Sequence, residues 1–141
     1  MAQIDKSGDM ISIPSSLDFM AAVDEFVEEW LRTRGVPEDT IADMAIAVTE
    51  LVNNAVKHGN RRNERKKVTI HLRLGNDRAQ ATVSDEGGGF DPSAIPNPVA
   101  EENLMKEIGL GIFIVRSFMD DVEFDFPAGG GTRVTITKKL P

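Results

Sequence analysis

Two polar residues, Glu50 and Asn54, stand four positions apart in a stretch whose pattern predicts a helix. Because side chains four residues apart lie on one face of a helix, the carboxylate and the amide project from the same side. A carboxylate can act as a base, and an amide oxygen is a suitable ligand for a hard cation. The pair therefore suggests a base beside a metal ligand.

Three glycine-containing segments follow this helix in a fixed order. They are 85–90 (Asp-Glu-Gly-Gly-Gly-Phe), 109–111 (Gly-Leu-Gly) and 131–132 (Gly-Thr). Glycine lets the backbone turn tightly and approach a ligand, and the free amides at the start of a helix attract phosphate. Together with the polar helix, these segments outline a nucleotide pocket.

Two common nucleotide motifs do not fit the sequence. No segment has the glycine, lysine and hydroxyl spacing of a Walker phosphate loop. A Rossmann fingerprint at Gly109 and Gly111 fails because Ile114 occupies the position of the third glycine. A different nucleotide-binding fold is therefore needed.

The order of these segments resembles that of the GHKL, or Bergerat-fold, ATPases over roughly residues 10 to 139. Within that superfamily, residues 50–59 (Glu-Leu-Val-Asn-Asn-Ala-Val-Lys-His-Gly) are similar to the N box of the anti-sigma factor serine/threonine kinases of the sporulation and general-stress type. Residues 107–115, followed by Phe118, Met119 and Asp120, resemble their second glycine box and helix. One such box is weak evidence alone, but four in order at compatible spacing are specific.

The resemblance implies roles for the polar helix and the first glycine segment. Asn54 is expected to bind Mg²⁺, and Glu50 to orient or deprotonate the attacking hydroxyl close to the γ-phosphate of ATP. Asp85 is expected to accept a hydrogen bond from the adenine amino group. Gly87 and Gly89 permit backbone turns that a side chain would obstruct.

The resemblance also implies a phosphate site formed by the amides of Gly109, Leu110 and Gly111 at the start of a helix. Thr132 is expected near adenine, reaching the base through a water, with a cross-strand threonine as the alternative reading. Lys57 resembles a lysine that approaches phosphate, or it is solvated at a helix end. His58 matches a common family residue without a role that follows from the sequence.

Composition limits the class of protein. The 141 residues, 40% of them hydrophobic, fit one domain over 1–141, with a flexible N-terminus at about 1–9. The absence of cysteine excludes disulfides and thiolate metal sites, and the net charge of −7 argues against nonspecific nucleic-acid binding. No apolar run approaches the ~20 residues of a membrane span, and the first residues lack a secretory signal pattern, so we expect a cytoplasmic protein.

One segment departs from the acidic composition. Six of the 16 basic residues fall between positions 57 and 67. One reading is that they form a solvated connection whose positive charges are favourable near a helix C-terminus. The other is that they attract ATP or an acidic partner. These residues are Lys57, Arg61, Arg62, Arg65, Lys66 and Lys67.

Several elements are needed to position the polar residues. A strand at 10–13 leads to Ser15 or Ser16 as a helix cap, then to an amphipathic helix that stops at Gly35. A second helix is expected from about Asp39 to His58, ended by Gly59 in a left-handed cap. A hairpin then joins 67–74 to 78–85 through a turn at 75–77.

The rest of the chain predicts a lid, a helix and two strands. Residues 86–108 are rich in Gly, Pro and Asn, which favours an ATP lid. A third helix is expected at Leu110–Met119, followed by strands at 122–126 and 132–137. The pattern favours an α+β two-layer sandwich, with a mixed, mostly antiparallel sheet covered on one face by about three helices, as in the Bergerat, histidine-kinase-like ATPase fold.

The function that the resemblance implies is an ATP- and Mg²⁺-dependent serine/threonine kinase. Its expected partners are a STAS-domain anti-anti-sigma factor, which it phosphorylates, and a sigma factor, which it sequesters; a homodimer is expected, without nucleic acid or membrane contacts. Three alternatives stay open. They are a nucleotide-dependent switch or binding module without kinase activity, an ATPase without a protein acceptor, and an ATP-binding domain excised from a histidine kinase.

Overall fold

A computed structural model of the protein describes residues 4–87 and 109–141. The strands in these ranges are β1 (Asp5–Ser7), β2 (Met10–Pro14), β3 (Lys67–Leu74), β4 (Arg78–Asp85), β5 (Asp121–Asp125) and β6 (Arg133–Lys139). The helices are α1 (Met20–Thr33), α2 (Glu38–Asn54) and α3 (109–118). Two short turns complete them, a 3₁₀ turn at Leu17–Phe19 and a π-helical turn at Ala55–Gly59.

The strands form one antiparallel sheet in the order β1-β2-β3-β4-β6-β5. Ile11, Ile70, Val83 and Val134 stand opposite one another in four neighbouring strands and are buried in one core with the helices. Because strand side chains alternate between faces, the residues between them point the other way. That second face carries cross-strand hydroxyl bonds, such as Thr82 to Thr135 at 3.1 Å.

Helices α1 and α2 cover the apolar face of the sheet. Val23, Val27 and Leu31 of α1 are spaced by four residues and fully buried. Fully burying an aliphatic side chain of this size contributes about 1.5–3 kcal/mol. The buried apolar stripe of α2 follows the helical period; its members are Ile41, Met44, Ala47, Val48, Leu51 and Val52.

The end of α2 differs from the prediction. Gly59 does not adopt the left-handed conformation expected of a cap, and α2 continues past Asn54 as the π-helical turn Ala55–Gly59. The N–H of Asn60 donates to the Ala55 carbonyl at 2.8 Å, closing the wider turn. Left-handed backbone follows at Arg61 and Arg62, with φ of 52° and 59°. π-Turns inside helices are frequent at functional sites.

Helix α3 is held at its C-terminal end by Lys138 of β6. The Lys138 ammonium donates to the Phe118 carbonyl at 2.8 Å and pairs with Asp43 of α2 at 3.3 Å. A cation is favourable at this end of a helix because the exposed carbonyls carry partial negative charge. Val115 and Met119 bury the inner side of α3 in the core. Lys138 therefore joins α2, α3 and the sheet.

The fold class is confirmed, with small differences in the elements. The sheet is antiparallel throughout, and the described helix and strand limits near the C-terminus differ from the predicted ones by one or two residues. Strand β1 was not predicted; it lies in the segment expected to be flexible and pairs with β2 through a turn where Gly8 has a φ of 56°. Ser16 caps the 3₁₀ turn, whereas Ser15 is buried.

None of the helices described in 4–87 and 109–141 combines the length and the apolar character that crossing a membrane requires.

Candidate nucleotide-binding site

A pocket opens between the end of α2, the π-helical turn and the ends of β4 and β6. Asn54 and Gly59 line it from the helical side, and Asp85 and Thr132 from the strand ends. Apart from His58, the remaining lining residues are apolar. A concave, mostly apolar pocket with a few polar groups is the usual form of a small-molecule site. The apolar wall is formed by Leu51, Ala55, Val83, Ile112, Phe124, Phe126 and Val134.

Asp85 is held at the floor of this pocket by backbone groups. Its carboxylate Oδ1 accepts hydrogen bonds from the N–H of Gly87 at 3.0 Å and from the N–H of Thr132 at 3.1 Å. Burial raises the pKa of Asp85 above the ordinary carboxyl value, although these two N–H groups and the charge of Lys66 oppose that rise. The side chain is therefore fixed in orientation before any ligand arrives.

Three glycines allow the chain to close around Asp85. A Cβ at Gly59 would overlap the Asp85 carboxylate, and a Cβ at Gly131 would overlap the Asp85 carbonyl. A Cβ at Gly87 would overlap the Gly59 carbonyl in the same way. Gly131 also has a φ of 87°, which side chains rarely adopt. These positions need glycine because backbone segments cross at contact distance.

Glu50, Asn54 and Gly111 meet at the other end of the pocket. An ideal Cβ at Gly111 would lie 3.3 Å from Glu50 Oε2 and 3.4 Å from Asn54 Nδ2. The second glycine box therefore packs directly on the carboxylate and amide that the sequence pairs. Glu50 itself lies in an adjoining surface groove with Asp24, Ile46 and Thr49. Glu50 and Asn54 are both half-buried.

The other predicted site residues differ in how close they lie to the pocket. Gly109 and Leu110 are the first described residues of α3, and Leu110 is 63% exposed. Lys57 is half-buried in the π-helical turn and is not among the residues that line the pocket. Gly89 lies outside the described residues, as does most of the predicted lid. Thr132 reaches Asp85 through its backbone N–H, and the predicted role of its hydroxyl stays a prediction.

Several residues at the site were not predicted from the sequence. Asn60 is 2% exposed and bonds to two separate segments, as described below. Phe124 and Phe126 line the pocket from β5 and just beyond it, although 40% and 60% exposed. The signal for the aromatic pair was available, because residues two apart on a strand share a face. Asn60 gave no such signal.

The basic segment lies beside this pocket. Arg61, Arg62 and Arg65 are exposed, as a solvated connection requires. Lys66 is close enough that its charge acts on the pKa of Asp85. The alternative of an attraction for an anionic ligand or partner therefore stays open.

A metal at this site would have few protein ligands. Within the described part of the chain, no group of three or more His, Cys, Asp or Glu side chains could hold a metal ion. The Asn54 amide beside Gly111 still fits Mg²⁺, since this ion keeps several waters and is usually bound through one or two protein groups and phosphates. The site is thus suited to a metal that arrives with a phosphate ligand.

The sequence matches known proteins over most of its length. The family described as "Histidine kinase-like ATPase domain" matches residues 13–138. Curated proteins named serine-protein kinase RsbW are similar to the chain. The protein of Listeria innocua is 34% identical over 75% of this chain and 70% of its own length. The protein of Staphylococcus aureus strain Newman is 30% identical over 91% and 84%.

Solved structures share the fold at lower sequence identity. The RsbU and RsbW domains of a Mycobacterium tuberculosis protein superpose with a TM-score of 0.66 and 21% identity, covering 93% of this chain and 32% of that one. The mycobacterial sensor histidine kinase MprB superposes with a TM-score of 0.55 and 19% identity, covering 92% and 96%. These likenesses extend to the arrangement of the elements alone.

Proposed function

The chain belongs to the histidine kinase-like ATPase family, among relatives named serine-protein kinase RsbW, and from this membership and the site we propose that it is an anti-sigma factor serine/threonine kinase. The membership confirms the resemblance inferred from the motifs. The proposal includes ATP as phosphate donor, Mg²⁺ as cofactor and a STAS-domain anti-anti-sigma factor as acceptor.

One observation carries the proposal. Gly111 packs against both Glu50 and Asn54, so the start of α3 lies beside the carboxylate and amide of α2. A nucleotide with its base on Asp85 and its phosphates toward Asn54 would extend along one pocket, since both residues line it. The γ-phosphate would then lie close to Glu50. A phosphate donor site and a base adjoin in this arrangement.

In the proposed reaction the protein mainly positions and neutralises, because phosphoryl transfer asks for little covalent chemistry from the enzyme. Glu50 takes or orients the proton of the acceptor hydroxyl, which approaches from the groove beside α1. The amides at the start of α3 meet phosphate oxygens where no side chain intervenes. Asn54 would hold Mg²⁺, which would supply positive charge against the phosphates during transfer.

The partners follow from the proposed class rather than from any contact. We propose that the kinase sequesters a sigma factor, that phosphorylation inactivates the STAS-domain protein, and that the chain works as a homodimer in the cytoplasm. The acidic net charge of −7 supports a protein rather than a nucleic acid as the direct partner.

The test is transfer of phosphate from γ-labelled Mg-ATP to a STAS-domain protein from the same cell, with mass spectrometry of the acceptor. We expect one serine or threonine of the acceptor to be labelled, and the Asn54→Ala variant to lose both Mg²⁺-dependent nucleotide binding and labelling. Asn53→Ala is the matched control, since neighbouring helix positions diverge by about 100°. Stable complex formation without labelled protein would favour a binding module, and free phosphate alone would favour an ATPase.

A further inference from the structure

Asn60 is a buried amide that bonds to two other segments of the chain. Its Oδ1 accepts a hydrogen bond from the Glu86 N–H at 2.9 Å, at the end of β4. Its Nδ2 donates to the Lys67 carbonyl at 2.9 Å, at the start of β3. The residue is 2% exposed, so both functional atoms lie away from solvent. One side chain thereby joins the π-helical turn to the two strands of the central hairpin.

Glu86 completes a closed set of contacts with these residues. Its carboxylate Oε1 accepts a hydrogen bond from the Lys67 N–H at 2.5 Å. Asn60, Lys67 and Glu86 are therefore each bonded to the other two. The Asn60 amide is buried and would be destabilising without its two partners, so the arrangement holds its three segments in one geometry.

This geometry bears directly on Asp85. Asn60 follows Gly59, and Glu86 follows Asp85, so the bond between Asn60 and the Glu86 N–H brings the two preceding residues face to face. Gly59 lies so close that a Cβ there would overlap the Asp85 carboxylate. The Asn60 hydrogen bond thus holds the end of β4, which carries Asp85, in contact with the π-helical turn that lines the pocket.

We propose that Asn60 is a positioning residue for recognition of the base: it holds Asp85 in place against Gly59 and touches no part of the nucleotide. The proposal rests on the proposed function, because it assumes that Asp85 accepts from the adenine amino group. Asn60 does not line the pocket, and its burial leaves no surface for a ligand. Its effect on ATP is therefore transmitted through Asp85.

The proposal separates base recognition from phosphate binding. Loss of the Asn60 amide frees the Glu86 N–H and the Lys67 carbonyl and lets the Asp85 segment move. Glu50, Asn54 and Gly111 lie at the far end of the pocket, where none of these bonds reaches. Discrimination of the 6-amino group should weaken while interactions with the phosphates persist.

The experiment compares Mg-ATP with Mg-ITP, which carries an oxygen in place of the 6-amino group, by calorimetric titration of the full chain. We expect Asn60→Ala to weaken Mg-ATP binding about tenfold, the scale of one or two lost hydrogen bonds, with Mg-ITP binding unchanged within about twofold. Asn63→Ala, in the same turn with an exposed bond to the Arg65 N–H, is the matched control and should change neither.

A variant at Glu86 guards against the case in which Asn60→Ala does not fold. Glu86 is exposed, and Glu86→Ala removes only one bond of the set, so we expect about a threefold loss of Mg-ATP affinity and none for Mg-ITP. An equal loss of both nucleotides in the folded variant would overturn the proposal, and so would unchanged ATP affinity. If the wild-type protein shows no preference for ATP over ITP, the assigned role of Asp85 fails first, and this inference fails with it.

Discussion

The two ends of the pocket are built differently. At the end where we propose that the base binds, the Asp85 carboxylate accepts two backbone N–H groups, and glycines let three chain segments cross at contact distance. At the end proposed for the phosphates, two half-buried side chains, Glu50 and Asn54, face a single glycine at the start of α3. Backbone hydrogen bonds fix the first end, which we call the base end, whereas the second, the phosphate end, presents side chains that a charged ligand could organise. In the proposed kinase, selection of the nucleotide and transfer of phosphate would therefore depend on different parts of the chain.

The largest expected effect tests the reactive end. Glu50→Gln should lower phosphate transfer by about 10²–10⁴-fold, because the amide cannot accept the proton of the acceptor hydroxyl. ATP affinity should change by less than about threefold, since Asp85 and the glycines are untouched. Rates of acceptor labelling and calorimetric titration measure the two quantities, and Glu123→Gln, an exposed carboxylate on β5, is the control. Full transfer activity in the variant would remove Glu50 from its role.

The next effect tests the base end. Asp85→Asn should weaken Mg-ATP binding about 10- to 100-fold, because the amide can keep the two backbone hydrogen bonds but presents a donor to the adenine amino group. The free energy of unfolding should not fall, since the variant no longer buries a charge. Titration and chemical denaturation of the same samples check both statements. Lower stability with normal ATP binding would show that Asp85 supports the fold and does not recognise the base.

A smaller effect depends on pH. Burial places the pKa of Asp85 above its ordinary value. As the pH is lowered, Asp85 should therefore become protonated, and ATP affinity should decline, at a higher pH than for a solvated aspartate. Because the folded state then binds the proton more tightly than the unfolded state, ionisation of Asp85 destabilises the fold as pH rises through the raised pKa. Asp9, whose pKa is lowered by its hydrogen bond to His71, acts in the opposite direction.

Comparison with Asp85→Asn isolates the Asp85 contribution to this profile. The difference in stability between the variant and the wild type should be constant at acid pH, where Asp85 is protonated in both states, and shift in favour of the variant as pH rises through the raised pKa. Thermal unfolding of both proteins across the acid range measures that difference, in which the shared contribution of Asp9 cancels. A constant difference at every pH would show that Asp85 has no raised pKa in the folded protein.

The smallest expected effect concerns the support of α3. Lys138→Met keeps the apolar stem but removes the ammonium from the Phe118 carbonyl and from Asp43. We expect the free energy of unfolding to fall by about 1–2 kcal/mol, with a larger loss of transfer than of ATP affinity, because α3 carries Gly111 toward Glu50. Lys139→Met, whose side chain is exposed at the end of β6, provides the comparison.

Much of this arrangement could be predicted from local sequence. The limits of β3 and β4 are as predicted because apolar and polar residues alternate along β3 and along β4 as far as Ser84, and a Gly-Asn-Asp turn separates the strands. The pairing of Glu50 with Asn54 follows from helical spacing alone. The presence of Asp85 and Thr132 in one pocket required the family resemblance, because 47 residues separate them.

What local sequence did not predict depends on contacts across the fold. Gly59 has the sequence of a helix cap, but the approach of Asp85 demands its lack of a side chain and the chain turns left-handed only later, at Arg61. In the sequence, Asn60 looks like an ordinary turn asparagine, because its role depends on a hydrogen bond to Glu86, 26 positions away at the end of β4. Strand β1 has only three exposed residues, so its pairing with β2 left no periodic pattern.

The position of β6 in the sheet has a consequence for synthesis of the protein. Although β6 is the last strand in the described chain, it lies between β4 and β5, and Thr132, directly before β6, supplies an N–H that orients Asp85. A growing polypeptide on the ribosome therefore cannot complete this pocket until Thr132 and β6 have left the exit tunnel, and until then the Asp85 carboxylate lacks one of its two backbone partners.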